Sequence, residues 1–195
     1  MHHRTIDKVA VEARAASFTK RSIKGDSKLY GLHRVISMID LTTLEGKDSP
    51  EKINAICSKA LQPDPSLNVP RVAAVCVYPS WIKHVRGILN DSDIKVASVA
   101  TGFPSGQIPL PLRISEVEQA VNDGANEIDM VIARGRFLAG DFNCISDEIS
   151  AVKEACGQAH LKVILETGEL ETYDAVRHAS DLAIDAGADF IKTST

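Results

Sequence analysis

The chain has 195 residues, 44% of them hydrophobic and 25% charged, a balance that excludes a disordered tract and leaves room for one sizeable domain. Its 22 basic and 26 acidic residues give a formal net charge of -4, which excludes the basic footprint of a nucleic-acid or anionic-membrane binder. No apolar run reaches the roughly 18 residues of a spanning helix and no signal-peptide pattern is visible, so a cytosolic (cytoplasmic) enzyme is expected.

Residues 1–34, rich in Lys, Arg, Ala and Ser, have weak helical periodicity and are read as a helical leader outside the main repeat, with His2 and His3 in a frayed end. From residue 35 onward, apolar β-branched runs alternate with amphipathic segments of helical length, the pattern of parallel βαβ units. The first strand is expected over residues 35–42 (VISMIDLT). Asp48-Ser49-Pro50-Glu51 then opens a helix running to about Leu61. The second strand is expected over 71–79, followed by a helix from near Ser80, and the third over 95–103, ending in a loop with Gly102, Pro104 and Gly106.

A helix over about 112–123 is closed by Gly124 as a C-terminal cap, and the fourth strand follows over 127–133. Next come a helix over about 144–155, a strand over 162–167, a helix over about 170–186 ended by Gly187, and a sixth strand over 190–195. Six such units fit a doubly wound sheet or a closed TIM (β/α)8 barrel. The first strand ends in Asp40-Leu41-Thr42-Thr43 without the glycine finger of a dinucleotide fold. Polar residues instead recur near strand ends, which converge on one mouth in a barrel. The expected organisation is therefore an N-terminal helical extension (1–34) and an α/β barrel portion (35–195) containing strands one to six.

Several of those polar residues can carry chemistry. Lys192, inside the apolar strand FIKTST, must place its ammonium in the barrel mouth or be paired, and Lys162 is a second case. A desolvated lysine, or one beside another cation, has a lowered pKa and can attack a carbonyl to form an imine; the bland alternative is a lysine that snorkels to solvent or pairs with a carboxylate. Asp129 occupies a position where an apolar residue is expected and shares a strand face with Glu127 and Val131. It could hold an ammonium, move protons, or form half of a buried ion pair. Asp40 and Thr42 suit either a turn or a substrate contact, and either Glu166 or Glu169 could cap the helix after the fifth strand.

The four cysteines, Cys57, Cys76, Cys144 and Cys156, form no C-x-x-C pair and have no His at metal-ligand spacing, so they read as reduced thiols. Cys57, Cys144 and Cys156 read as small helix-buried hydrophobes. Cys76 lies near the C-terminal end of the second strand.

Taken together, MIDLTTL (38–44), AAVCVYP (73–79), VASVATGFPSG (96–106), DGANEIDMVI (123–132), LKVILETGEL (161–170) and GADFIKTST (187–195) resemble the deoxyribose-phosphate aldolase family in order and spacing. The resemblance implies a class I aldolase, without metal or other cofactor, that reversibly cleaves 2-deoxy-D-ribose 5-phosphate into acetaldehyde and D-glyceraldehyde 3-phosphate. Carried over by motif, Lys192 forms the imine and Asp129 belongs to the proton relay. Lys162 joins the catalytic group, while Asp40, Thr42, Leu44, Cys76 and Thr195 fall on substrate-binding positions. The implied partners are sugar phosphates and aldehydes, in deoxyribonucleoside catabolism, with a homo-oligomer also compatible.

The family's barrel has eight strands, and nothing here resembles strands seven and eight, the second catalytic lysine in its K-P-A-G-G-like context, or the phosphate-gripping last loops. A fragment of a longer aldolase, impaired as it stands, is the leading expectation. A shortened paralogue acting as a binding or regulatory protein is the alternative, and another lysine-dependent barrel enzyme a third.

Overall fold

The computed structural model describes residues 5–195, and the reading of His2 and His3 lies outside them. Two leader helices come first, α1 (Lys8–Thr19) and α2 (Gly25–Ile36). There follow β1 (Asp40–Thr42), α3 (Pro50–Leu61), β2 (Ala74–Val77), α4 (Ile82–Leu89), β3 (Lys95–Ala100), α5 (Leu110–Asn122) and β4 (Glu127–Val131). The chain continues through α6 (Arg134–Leu138), α7 (Phe142–Cys156), β5 (His160–Ile164), α8 (Tyr173–Asp185) and β6 (Phe190–Lys192). All strand pairs are parallel and the sheet order is β1-β2-β3-β4-β5-β6, a half barrel with strands in sequence order.

Alternation along the strands divides the side chains between two faces. Val75, Val77, Val96, Ile128, Met130, Leu161 and Val163 point outward into the main core against the helices. Helix α3 contributes Ile53, Ile56, Cys57 and Ala60, spaced by three and four residues to form one stripe. Each such isoleucine is worth about 1.5–3 kcal/mol on burial, so this outer layer supplies most of the hydrophobic stabilisation. The inner face is smaller and more polar. Ala74, Cys76, Ala97 and Val99 form a separate cluster there, with Leu44, Tyr78 and Phe103 packed against it.

The sheet must also curve. Lys162 on β5 reaches Asp40 on β1, Nζ to Oδ2 2.6 Å, although β2, β3 and β4 intervene. In a flat sheet, strands four places apart would lie about 19 Å from one another, too far for these two side chains to bridge.

Gly124 and Gly187 end α5 and α8 as the sequence leads one to expect. Both have left-handed backbones, φ 107° and 97°. The Gly124 N–H donates to Val121 O and Ala125 N–H to Ala120 O, the paired bonds that close a helix through a glycine.

Several expectations need correction. The first strand begins at Asp40, since Val35 and Ile36 belong to α2, where Leu29, Leu32 and Ile36 repeat at helical spacing. The fifth strand runs from His160 to Ile164, ending before the left-handed turn of Glu166 at φ 53°. Helix α8 begins at Tyr173, because Glu171 is also left-handed at φ 62° and Thr172 provides the N-cap, its Oγ1 accepting from Ala175 N. Neither Glu166 nor Glu169 caps it. Cys57 and Cys156 are buried on helices, but Cys144 is only half-buried, its Sγ 3.7 Å from Glu148 Oε1.

Candidate active site

Strand register brings the polar residues of the inner face together. Asp129 on β4 pairs in register with Val99 on β3 and Lys162 on β5, while Lys192 on β6 pairs with Ile164. Lys162 is 6% exposed and sits among three carboxylates, with Nζ 2.6 Å from Asp40 Oδ2, 2.5 Å from Glu127 Oε2 and 3.3 Å from Asp129 Oδ1. Burial works against its charge, but the Asp129 charge and the hydrogen bonds to Asp40 and Glu127 outweigh it. The ammonium is held above the ordinary lysine range. Of the two alternatives the sequence left for this lysine, pairing with carboxylates is the one the structure bears out, because carboxylates surround it more closely than any cation.

Lys192 is placed differently. Its Nζ donates to Asp129 Oδ2 at 2.5 Å, and its side chain remains 29% exposed. Asp129 is itself fully buried, and its Oδ2 also lies 3.9 Å from Cys76 Sγ. Burial, reinforced by the Asp129 charge, pushes the Cys76 thiol up to about 12. The second carboxylate oxygen, Oδ1, faces Lys162 at ion-pair distance without hydrogen-bond geometry. It is the one buried side-chain polar atom among the described residues without a hydrogen-bond partner. Such an atom in a polar site is a natural place for a water or a proton.

The remaining sequence candidates lie around this centre. Leu44 packs against the inner cluster of Cys76 and Val99. Thr42 is exposed, and its Oγ1 donates to the Asp40 carbonyl at 3.0 Å. Thr195 is exposed on the tail of β6, where its N–H and Oγ1 both donate to Glu166 Oε2, at 3.0 and 2.6 Å. Two residues take parts that the sequence did not assign them. Glu127 was visible only as a face-mate of Asp129, yet it makes the shortest contact to Lys162. Glu166 gave no sign of its backbone turn or its hold on Thr195.

Beside the inner face, a cleft of about 580 Å³ is lined by the loops after β3, β4 and β5. Its arginines are already engaged: Arg113 with Glu148, Gly106 O and Ile108 O, Arg134 with Glu169 and Pro104 O, and Arg136 with Asp141. Among the described residues no group of three or more His, Cys, Asp and Glu is arranged to hold a metal ion, and no helix is long and apolar enough to cross a membrane.

The inner-face geometry can keep one lysine cationic and present another, next to a buried carboxylate, to a carbonyl compound. The chain as a whole resembles known aldolases. The DeoC/LacD family aldolase model matches residues 34–195. The deoxyribose-phosphate aldolases of Bos taurus and Homo sapiens are both 44% identical, over 97% and 90% of this chain. The chain spans 64% and 59% of the length of those two curated relatives. A solved structure described as a unique tetrameric deoxyribose phosphate aldolase from Aeropyrum pernix superposes with a TM-score of 0.70 at 27% identity, covering 83% of this chain and 64% of its own. The chain belongs to the DeoC/LacD family of aldolases.

Proposed function

We propose that the whole protein is a class I aldolase that reversibly cleaves 2-deoxy-D-ribose 5-phosphate into acetaldehyde and D-glyceraldehyde 3-phosphate. The observation that carries this reading is the contact between Lys192 Nζ and the buried Asp129 carboxylate. Of the two lysines on the inner face, only Lys192 combines exposure to a substrate with a single carboxylate partner among the described contacts. Lys162, enclosed by Asp40, Glu127 and Asp129, is a poor nucleophile because its lone pair stays protonated.

In this reading Asp129 accepts the proton that the Lys192 ammonium must lose before it attacks the aldehyde carbon C1. Loss of water from the carbinolamine leaves a protonated imine. Three carboxylates face two ammonium groups here, an excess of one negative charge, and that surplus favours the imine in its protonated form. The Asp129 proton having left with the carbinolamine water, the protonated imine draws the electron pair of the breaking C2–C3 bond, and the C3 hydroxyl passes its proton through water to Asp129 as glyceraldehyde 3-phosphate leaves. The enamine is then protonated at C2, and hydrolysis frees acetaldehyde and Lys192. Asp129, through a water at Oδ1, is suited to organise that carbon protonation. Lys162 supplies a fixed positive charge 3.3 Å from Asp129 Oδ1.

Asp40, Thr42, Leu44, Cys76 and Thr195 would border the substrate. Sugar phosphates and aldehydes are the partners of this reading, in the cytoplasm, without a required metal or cofactor. Assembly into a homo-oligomer is in keeping with the tetrameric relative. The deciding experiment uses protein expressed from the full reading frame, treated with acetaldehyde and borohydride and mapped by mass spectrometry. An N-ethyl group on Lys192, absent in Lys192→Ala, is the expected result. An adduct on Lys162 instead, or none at all, would overturn the assignment and favour a binding role.

A further inference from the structure

Thr101, Glu166 and Glu171 are the non-glycine residues with left-handed backbones among those described. Glu166 stands where β5 leaves the sheet. On either side of it the β5–β6 ladder continues past the formal ends of the strands: Leu165 N–H donates to Lys192 O at 3.0 Å, and Thr167 N–H to Thr193 O at 2.8 Å. Between these two bonds Glu166 turns to φ 53°, a conformation that Cβ disfavours and that glycine would adopt without strain.

The turn sends its carboxylate toward β6, where Oε2 accepts both the N–H and the Oγ1 proton of Thr195. Residues 165–167 thus hold the chain at Lys192 O, Thr193 O, Thr195 N and Thr195 Oγ1. The half-buried carboxylate adds nothing to the hydrophobic core. The Thr195 hydroxyl and amide bonds, opposed by partial burial and helped by the Arg134 charge, keep the carboxyl below the usual range and so in the form that accepts both protons.

We propose that Glu166 is a positioning residue for the aldol reaction: by clamping the segment that follows Lys192 it keeps the Lys192 amine in register with Asp129. This role rests on Lys192 as the imine-forming residue. A residue serving only to terminate β5 would be best as glycine, whereas the strained glutamate retains a carboxylate directed at the tail of β6.

The test compares Glu166→Gly, Glu166→Ala and Glu166→Gln in the full-reading-frame protein. Glu166→Gly removes the acceptor and relieves the strain, so it separates fold from function. Its melting temperature should be unchanged or higher, while amide exchange over residues 192–195 accelerates at least about tenfold and kcat falls about tenfold with KM moving less than about threefold. Glu166→Ala should lose kcat similarly and lower the melting temperature. Glu166→Gln, whose side-chain carbonyl can accept both bonds, should recover kcat to within about threefold of the native protein.

An unchanged kcat in Glu166→Gly, even with faster exchange, would overturn the positioning role, as would a Gln variant as impaired as the Gly variant. The borohydride adduct distinguishes the two levels of failure. If the native protein forms it at Lys192 and the Gly variant forms it equally fast, only the role of Glu166 falls. If the native protein forms none, the assignment of Lys192 falls and the positioning role falls with it.

Discussion

Lys162 Nζ lies 2.6 Å from Asp40 Oδ2, joining the first and fifth strands across the inside of the curved sheet. That contact, with Glu127 on the other side, gives the two inner-face lysines different states. Lys162 is enclosed and cationic, whereas Lys192 extends from β6 to a carboxylate that Lys162 already holds in place. The distinction depends on carboxylate count and exposure and leads to separable consequences for the two residues.

Asp129→Asn should leave the fold largely intact but remove the proton acceptor next to Lys192. We expect kcat in the full-reading-frame protein to fall about 10²–10⁴-fold, the usual contribution of a positioned acid or base. Steady-state kinetics with deoxyribose phosphate measure it. A loss below tenfold would mean that another group moves the proton.

Lys162→Met leaves Asp40, Glu127 and Asp129 facing one another without their shared cation. Breaking a buried ionic cluster by removing one member costs about 3–5 kcal/mol, and urea unfolding should show a loss of that order. Adding Glu127→Gln should restore part of it, since one unpaired charge is removed. Additive losses in the double variant would contradict the shared-cation arrangement.

The same lysine predicts an alkaline limit to stability. Its folded-state pKa is raised above the ordinary lysine value of about 10.4, so its contribution is fully present below about pH 10.4 and is lost as pH rises through the higher folded value. Unfolding free energy measured from pH 8 upward should therefore decline above about pH 10.4 more steeply in the native protein than in Lys162→Met. Parallel curves would show that Lys162 does not gain its proton affinity on folding.

Cys76 should resist alkylation. With its thiol pushed up to about 12 and its side chain fully buried, the thiolate fraction at pH 8 is about three orders of magnitude below that of an ordinary cysteine. Iodoacetamide labelling read by peptide mapping should modify half-buried Cys144 well before Cys76. Early modification of Cys76 would indicate that the inner face opens in solution.

Arg113 and Glu148 form a second buried pair, 2.8 Å apart between α5 and α7, with side chains 5% and 10% exposed. Arg113→Met alone should cost about 3–5 kcal/mol by stranding Glu148 and leaving Gly106 O and Ile108 O without their donor. Pairing it with Glu148→Leu should return much of that loss. Thermal or urea unfolding of both variants provides the comparison.

The sequence carried the architecture a long way. Alternating strand and helix periods, glycines at the ends of α5 and α8, and polar residues recurring near strand ends identified a parallel barrel portion and its inner-face residues Asp40, Cys76, Asp129, Lys162 and Lys192. It misled where composition and geometry separate. Val35, Ile36, Met38 and Ile39 form an apolar run that suits a strand, but the first two complete the helical repeat begun at Leu29. The fifth strand lost its last residues to a left-handed glutamate, a backbone choice with no signature in residue type.

By itself, the sequence determined which residues face inward, because a strand alternates with period two and a lysine or aspartate among valines must find a polar partner. Only the tertiary structure decided which partner each one found. Sheet curvature brings Asp40 to Lys162 over three intervening strands, and that contact, together with Glu127, makes Lys162 the fixed charge and leaves Lys192 to Asp129. Coulomb attraction depends on distance through space, and distances between strands far apart in the chain exist only once the sheet has closed around them.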